Sequence, residues 1–357
     1  MIDLNDENSI KEADKGQVVA SIQALPSQIS QAWGEARKVQ FPADYRQVKN
    51  ILIDGMGGSG LGPELIAYVY RDQLKAPLTV LHDYNLPAFA DSNTLVIISS
   101  YSGTTEEPLN LVGQALAADC KITAVTEGRD LGDFLTKNNL PGYIFKATAN
   151  PSEQPRFGLG YSVAGILGLL EALGLLTIGD SEISATEAYL KSFTQNLAPN
   201  ALTSDNKVKS LATALSASQI AVVSGEFLSG NAHIFANQIN ENAKNFADYF
   251  LLSELDHHLL EGLGYPLDLK SKLNFVLLNS PLYSEKIAKR LGLTKEILEK
   301  QGYQNFIINF EASTKLAQAF EGILISSWTS FYLGLLNGVD PAKIPWVDYF
   351  KETLAKG

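Results

Sequence analysis

Short apolar runs alternate along this chain with stretches whose apolar residues return every three or four positions. The runs "NILIDGM" (50–56), "LTVLHDY" (78–84), "TLVIISS" (94–100), "KITAVTE" (121–127) and "YIFKATA" (143–149) are rich in Val, Ile, Tyr and Phe and bounded by Gly, Pro or Asn. That pattern predicts β-strands. Segments 60–75 and 107–119 between them show helical spacing, and 160–175 reads as a further helix. Near-continuous apolar strands separated by helices predict a parallel sheet covered on both faces. After polar punctuation around Gly179 and Asp180 the pattern restarts with "QIAVVSGE" (219–226), "ADYFLLS" (247–253), "KLNFVLLN" (272–279) and "QNFIINFE" (304–311). Helices fit at 185–197, 206–218, 229–243, 284–300 and 314–336. The expected fold is therefore α/β. It has two domains, 1–177 and 178–357, each a doubly wound parallel sheet flanked by helices, with a C-terminal helix. "ILIDGMGGSGLGPELIAYVY" and "IAVVSGEFLSGNAHIFANQI" share a strand, a Gly/Ser turn and a helix, the pattern a duplicated domain would leave.

Bulk properties narrow the function classes. A length of 357 residues suits two domains at roughly 150 residues each. A net charge of -11 argues against nucleic acid or an anionic membrane as the main partner. It leaves room for a small anion held by local donors. The single cysteine, Cys120, allows neither an intramolecular disulfide nor a cysteine metal cluster and fits a reducing compartment. The opening "MIDLNDENSIKEADKG" contains no apolar signal core. The apolar stretch 161–178 is interrupted by Glu171 and too short to span a membrane. A cytoplasmic protein is expected.

Two turns carry candidate chemistry. "GMGGSG" (Gly55–Gly60) follows a strand and precedes a helix. Gly55, Gly57 and Gly60 formally satisfy a dinucleotide fingerprint, and Asp83 closes the next strand where such a fold places its ribose ligand. The same turn also reads as a plain tight connection, or as a phosphate cradle in which Gly57 and Gly58 admit the ligand and Ser59 adds a hydroxyl. The stretch "VIISSYSGTTEEP" (96–108) favours the cradle. Ser100, Ser102 and Thr105 place hydroxyls on a turn just ahead of a helix, beside the amides of Gly103 and Thr104. Helix capping accounts for one or two of these hydroxyls. Converging neutral donors at a helix start are what a phosphate monoester wants. Glu106 and Glu107 then fall in the first helical turn, where acids suit the dipole.

"GMGGSG" followed by "SSYSGTTEE" resembles the sugar isomerase (SIS) domain, whose serine/threonine turn holds the phosphate of a phosphosugar. Many members read S-Y-S-G-N-T where this chain has Thr104. The second half carries acid–base candidates of its own. In "QINENAKNF" (238–246), Glu241 sits near a helix C-terminus, an unfavoured place for a surface acid, and is the candidate general base. "SELDHHLLEGL" (253–263) supplies His257 and His258, two of four histidines, suited to proton transfer near neutral pH. Arg156 in "NPSEQPRFGLGYS" is a candidate to stabilise a developing oxyanion. Lys351 lies in the amphipathic "DPAKIPWVDYFKETL".

Taken together the chain resembles the bifunctional phosphoglucose/phosphomannose isomerase family over nearly its whole length. "ENAKN", with a histidine sixteen residues after its glutamate, is the most specific piece. The resemblance implies that Glu241 moves a proton between sugar carbons 2 and 1 through a cis-enediol. It implies that His257, from a neighbouring protomer, assists ring opening, that Arg156 steadies the enediolate and that Lys351 lies in the site. The family pattern favours His257 over His258. The implied partners are a phosphosugar substrate and a second protomer, with no cofactor and no metal. Two other readings stand beside it. A non-catalytic phosphosugar sensor would bind without turnover, and an NAD-dependent oxidoreductase would bind NADH tightly. A third, the isomerase half of an amidotransferase, normally follows an N-terminal cysteine nucleophile, and Cys120 is misplaced for that.

Overall fold

The computed structural model describes residues 2–354. Within them nine strands form two sheets in which every pairing is parallel. Three helices come first: α1 (Glu7–Ala13), α2 (Val18–Gln23) and α3 (Leu25–Ala36). The first sheet then forms from β1 (Asn50–Asp54), β2 (Leu78–Leu81), β3 (Thr94–Ser99), β4 (Lys121–Thr126) and β5 (Tyr143–Ile144), ordered β2-β1-β3-β4-β5. Its helices are α4 (Gly58–Val69), α5 (Glu106–Ala117), α6 (Arg129–Lys137) and α7 (Leu159–Ala172). Two helices, α8 (Asp180–Gln195) and α9 (Lys207–Leu215), lead to the second sheet. It comprises β6 (Gln219–Ser224), β7 (Ala247–Leu251), β8 (Leu273–Asn279) and β9 (Gln304–Asn309), ordered β7-β6-β8-β9. It carries α10 (Ser229–Gln238), the single turn α11 (Leu259–Gly262), α12 (Glu285–Gln301) and α13 (Lys315–Leu336), and α14 (Pro345–Leu354) closes the described chain.

Alternation along the strands explains the first sheet. Ile51, Ile53, Leu95 and Ile97 enter one core, while Leu52, Val96 and Ile98 enter another on the opposite face. Period-two side chains that are apolar on both faces need helices on both sides. In α7 every residue from Leu159 to Leu170 is buried, so the apolar stretch is a core helix. Helix α13 is long and apolar enough to cross a membrane by length and composition, yet 94% of its apolar window is buried inside the protein.

Two differences from the expected elements have local causes. The strand expected at 143–149 lasts only two residues. Ile144 pairs with Thr126, the last residue of β4, so beyond Phe145, which still donates to the Thr126 carbonyl at 2.9 Å, no strand is left to pair with; the Phe145 ring packs on Tyr161 at 4.8 Å between centroids and on Tyr101 at 5.4 Å. The helix expected at 229–243 ends as an α-helix at Gln238 and passes into a π-turn, Ile239–Ala243. The boundary proposed at 177/178 falls in the link between α7 and α8.

Candidate active site

Strand order places the first pair of turns. In the first sheet the order reverses between β1 and β3, and a crevice opens at their carboxyl ends, where open α/β sheets bind ligands. Gly55–Gly60 follows β1 and Ser99–Thr105 follows β3, with Asp54 in register with Ile98. The turns are tied together: Ser59 Oγ accepts from the Tyr101 N–H at 2.9 Å, and Ser99 Oγ donates to the Ser59 carbonyl at 2.7 Å. Gly57 has φ +49, which favours glycine, and serves as the N-cap of α4.

The hydroxyl turn is not spent on capping. Thr105 occupies the N-cap position of α5, but its side chain makes no capping bond. Its hydroxyl accepts instead from Ser100 Oγ at 3.4 Å. Ser102 Oγ accepts from Thr104 N–H and Oγ1 at 3.3 and 3.2 Å. Neither α4 nor α5 has a side-chain cap, and both turn their positive dipole ends toward the crevice, although the Ser59 and Gly60 N–H groups of α4 already donate to the Met56 and Gly57 carbonyls at 3.0 Å. The second sheet differs at the same place. There the Glu226 carboxylate accepts from both the backbone N–H and the hydroxyl of Ser284, the N-cap of α12. The chain's own carboxylate fills the equivalent crevice.

Arg156 links the turns to the candidate base. A Cβ on Gly58 would lie 3.0 Å from the Arg156 backbone nitrogen, so the glycine turn rests directly on the 155–156 backbone. The Arg156 side chain is 2% exposed and its Nη1 lies 3.5 Å from Glu241 Oε2. Its Nε donates to Asn242 Oδ1 at 2.6 Å, Nη1 to Gln154 Oε1 at 3.0 Å, and Nη2 to the carbonyls of Pro341 and Ala342 at 2.9 and 2.8 Å. These partners take four of the five guanidinium N–H groups within the chain and leave one Nη1 hydrogen on the side of Glu241. Arg156, expected to steady an oxyanion, is held in a buried network of the chain's own acceptors.

Glu241 is held by its neighbours. Asn240 pairs with Ala247 through both side-chain atoms, at 2.8 and 3.0 Å, and Asn242 Nδ2 donates to Ser330 Oγ at 2.8 Å. The π-turn puts the carboxylate between two anchored amides, a local distortion common at functional sites. Lys244, at φ +51, closes the turn and donates to the Asp340 carbonyl at 2.6 Å. Burial, reinforced by the Arg156 charge, pushes its amine down to about 8. Sequence reasoning passed over Lys244, although it stands inside "ENAKN".

The remaining predicted residues lie elsewhere. Asn240 fixes Glu241 at the start of β7, whereas His257 and His258 follow its end, and five strand residues span roughly 16 Å. Asp256 anchors their turn to α12 through Arg290 at 2.9 Å and Thr294 at 2.8 Å, and both histidines are exposed. Lys351 is exposed on α14, no residue of which is buried. Asp83, offered as a ribose ligand, accepts from the N–H groups of Tyr84 and Asn85 on an exposed turn.

Comparison with known proteins finds relatives along most of the chain. Residues 204–354 match the family model described as the bacterial phospho-glucose isomerase C-terminal SIS domain. A bifunctional phosphoglucose/phosphomannose isomerase from Caldicellulosiruptor bescii is 32% identical over 341 residues, covering 94% of this chain and 98% of that protein. One from Aquifex aeolicus is 28% identical over 314 residues, covering 88% of this chain and 92% of that protein. Among solved structures, the C-terminal domain of glucosamine-fructose-6-phosphate aminotransferase from Francisella tularensis superposes with a TM-score of 0.72 at 14% identity. It covers 93% of this chain and 99% of that one, a likeness of fold.

Proposed function

The chain belongs to the bifunctional phosphoglucose/phosphomannose isomerase family, and we propose that it interconverts fructose 6-phosphate with glucose 6-phosphate and mannose 6-phosphate using Glu241 as the base. The observation that carries this reading is contiguity. The hydroxyl and glycine turns, the Pro155–Arg156 backbone and the Glu241 carboxylate form one unbroken line of contacts.

Ser59, Ser100, Ser102, Thr105 and the amides of Gly57 and Gly58 hold the phosphate and set the register of the sugar. Binding energy from that remote group orients the reacting carbons. Glu241 takes the proton from carbon 2, the hydroxyl proton passes between oxygens 1 and 2, and Glu241 returns its proton to carbon 1. Arg156 holds Glu241 and faces the enediolate side of the site. The partner's His257, with Lys351, opens the ring. A homodimer with shared sites is supported by the separation of His257 from Glu241 along β7. It is supported also by α14, which leaves Trp346 81%, Tyr349 64% and Phe350 62% exposed for a second copy to cover. A cytoplasmic location fits a reduced Cys120.

The test is a coupled assay of purified protein on fructose 6-phosphate, with the two aldose phosphates quantified separately. Formation of both is expected. Glucose 6-phosphate alone narrows the substrate and keeps the mechanism. Folded protein that binds ligand and forms neither is a sensor.

A further inference from the structure

A second cluster of titratable groups lies behind the glycine turn, and the mechanism above leaves it unused. His82, at the end of β2, directs Nδ1 at the Gly55 carbonyl at 2.6 Å and Nε2 at Glu64 Oε1 at 3.0 Å. Glu64 belongs to α4, and its other oxygen lies 2.5 Å from Nδ1 of His233 on α10. His233 in turn stacks on Tyr249 of β7 at 4.6 Å. Two of the four histidines therefore converge on one carboxylate that joins the two halves of the chain. The contact is close throughout: a Cβ on Gly60 would lie 2.7 Å from His82 Cε1, and one on Gly230 of α10 would lie 2.6 Å from Leu65 Cα of α4.

Hydrogen-bond chemistry assigns the protons. A carbonyl only accepts, so His82 Nδ1 carries a hydrogen. A carboxylate also only accepts, so Nε2 carries one too, and the ring is an imidazolium. Its pKa is raised first by the Glu64 hydrogen bond, while burial opposes the shift. Burial pushes Glu64 upward, but the two histidine hydrogen bonds outweigh it and hold the acid at about 2. The other titratable groups around His82 are Asp54 from β1 and, across Glu64, His233. A trans peptide points its N–H opposite its carbonyl. Fixing the Gly55 carbonyl on His82 therefore turns the Met56 N–H away from His82 and sets how the turn leaves β1.

We propose that His82, charged between Glu64 and the Gly55 carbonyl, is a positioning residue for the glycine turn, so that the grip on a phosphate monoester depends on this ion pair. The inference rests on the phosphate reading of that turn. It adds a pH dependence: the clamp holds below the raised pKa of His82 and weakens as pH rises through it.

The test uses the full chain with inorganic phosphate as calorimetric probe and fructose 6-phosphate as substrate. His82→Gln is expected to weaken phosphate binding about tenfold, the scale of one charge-assisted hydrogen bond. KM rises by a similar factor while kcat stays within about threefold. His82→Arg keeps a cation with several donors, so it restores binding and removes the alkaline loss of affinity that the wild type shows. Nitrogen NMR of the wild type reports both His82 protons at pH 7 and decides the matter even where a variant does not fold. Unchanged phosphate affinity in His82→Gln, a fall in kcat at constant KM, or a singly protonated His82 at pH 6 each overturns the clamp. A chain that binds phosphate but does not turn over substrate defeats the isomerase reading and leaves these binding results decisive.

Discussion

Replacing Arg156 by lysine tests whether the guanidinium is a clamp or a direct substrate contact. The guanidinium meets four oxygen acceptors at 2.6 to 3.0 Å from three different nitrogens, with Glu241 at 3.5 Å. An ammonium carries three donors at a single point and cannot reach acceptors spread around Nε and both Nη atoms. At least one or two buried acceptors lose their partner, at about 1–3 kcal/mol each. We expect Arg156→Lys to lose about 2–4 kcal/mol of unfolding free energy, and Arg156→Met about 3–5 because Glu241 also loses its counter-charge. Since the clamp ties Gln154 to the 341–342 segment and steadies Glu241, kcat falls more than KM rises. The assay is urea unfolding at fixed protein concentration, followed by steady-state kinetics on the same preparations. A lysine variant that unfolds within about 0.5 kcal/mol of wild type refutes the clamp. If that variant is also inactive, Arg156 acts on substrate oxygens instead.

Three further outcomes follow from the same geometry. Glu241→Gln abolishes turnover while inorganic phosphate still binds, and near-normal turnover would remove Glu241 from its role. Mixing inactive Glu241→Gln and His257→Ala chains after subunit exchange recovers about a quarter of wild-type activity, because half the dimers are mixed and each has one intact site. No recovery on exchange would place both residues in one protomer. Asp54 is fully buried, both its oxygens lack a hydrogen-bond partner, and burial raises its pKa from 3.8 to about 7. Between those values the folded state binds more protons than the unfolded one, so this group's contribution falls as pH rises, by about 4 kcal/mol at most. Asp54→Asn should therefore gain melting temperature relative to wild type at pH 8 and not at pH 4.5; an equal difference at both pH values would contradict this.

The elements read from the chain and those found in the fold diverge where local pattern was weak or ignored. All nine strands were legible because each is a short run rich in β-branched, aromatic or leucine residues bounded by turn residues. The helices before residue 50 were not anticipated, although Leu25, Gln28, Ile29, Ala32, Trp33 and Ala36 of α3 repeat at helical spacing and are buried. Helix α6 was passed over in the same way. The hydroxyl turn was readable because five serine and threonine hydroxyls fall within the seven consecutive residues Ser99–Thr105. His82 was not, since nothing in "LTVLHDY" distinguishes a histidine bonded to Glu64 and the Gly55 carbonyl from any other strand-end histidine.

Periodicity and turn chemistry are properties of neighbours along the chain, so the sequence by itself determined the α/β class, the two strand series, the two turns and the candidate glutamate. Convergence is not such a property. The strand order that sets Gly55–Gly60 beside Ser99–Thr105, the clamp from Arg156 across 185 positions to Pro341, and the Glu64 bridge from His82 to His233 exist only once the helices pack. They are decided by which buried polar groups must find partners when water is excluded, and that requirement arises only in the tertiary structure.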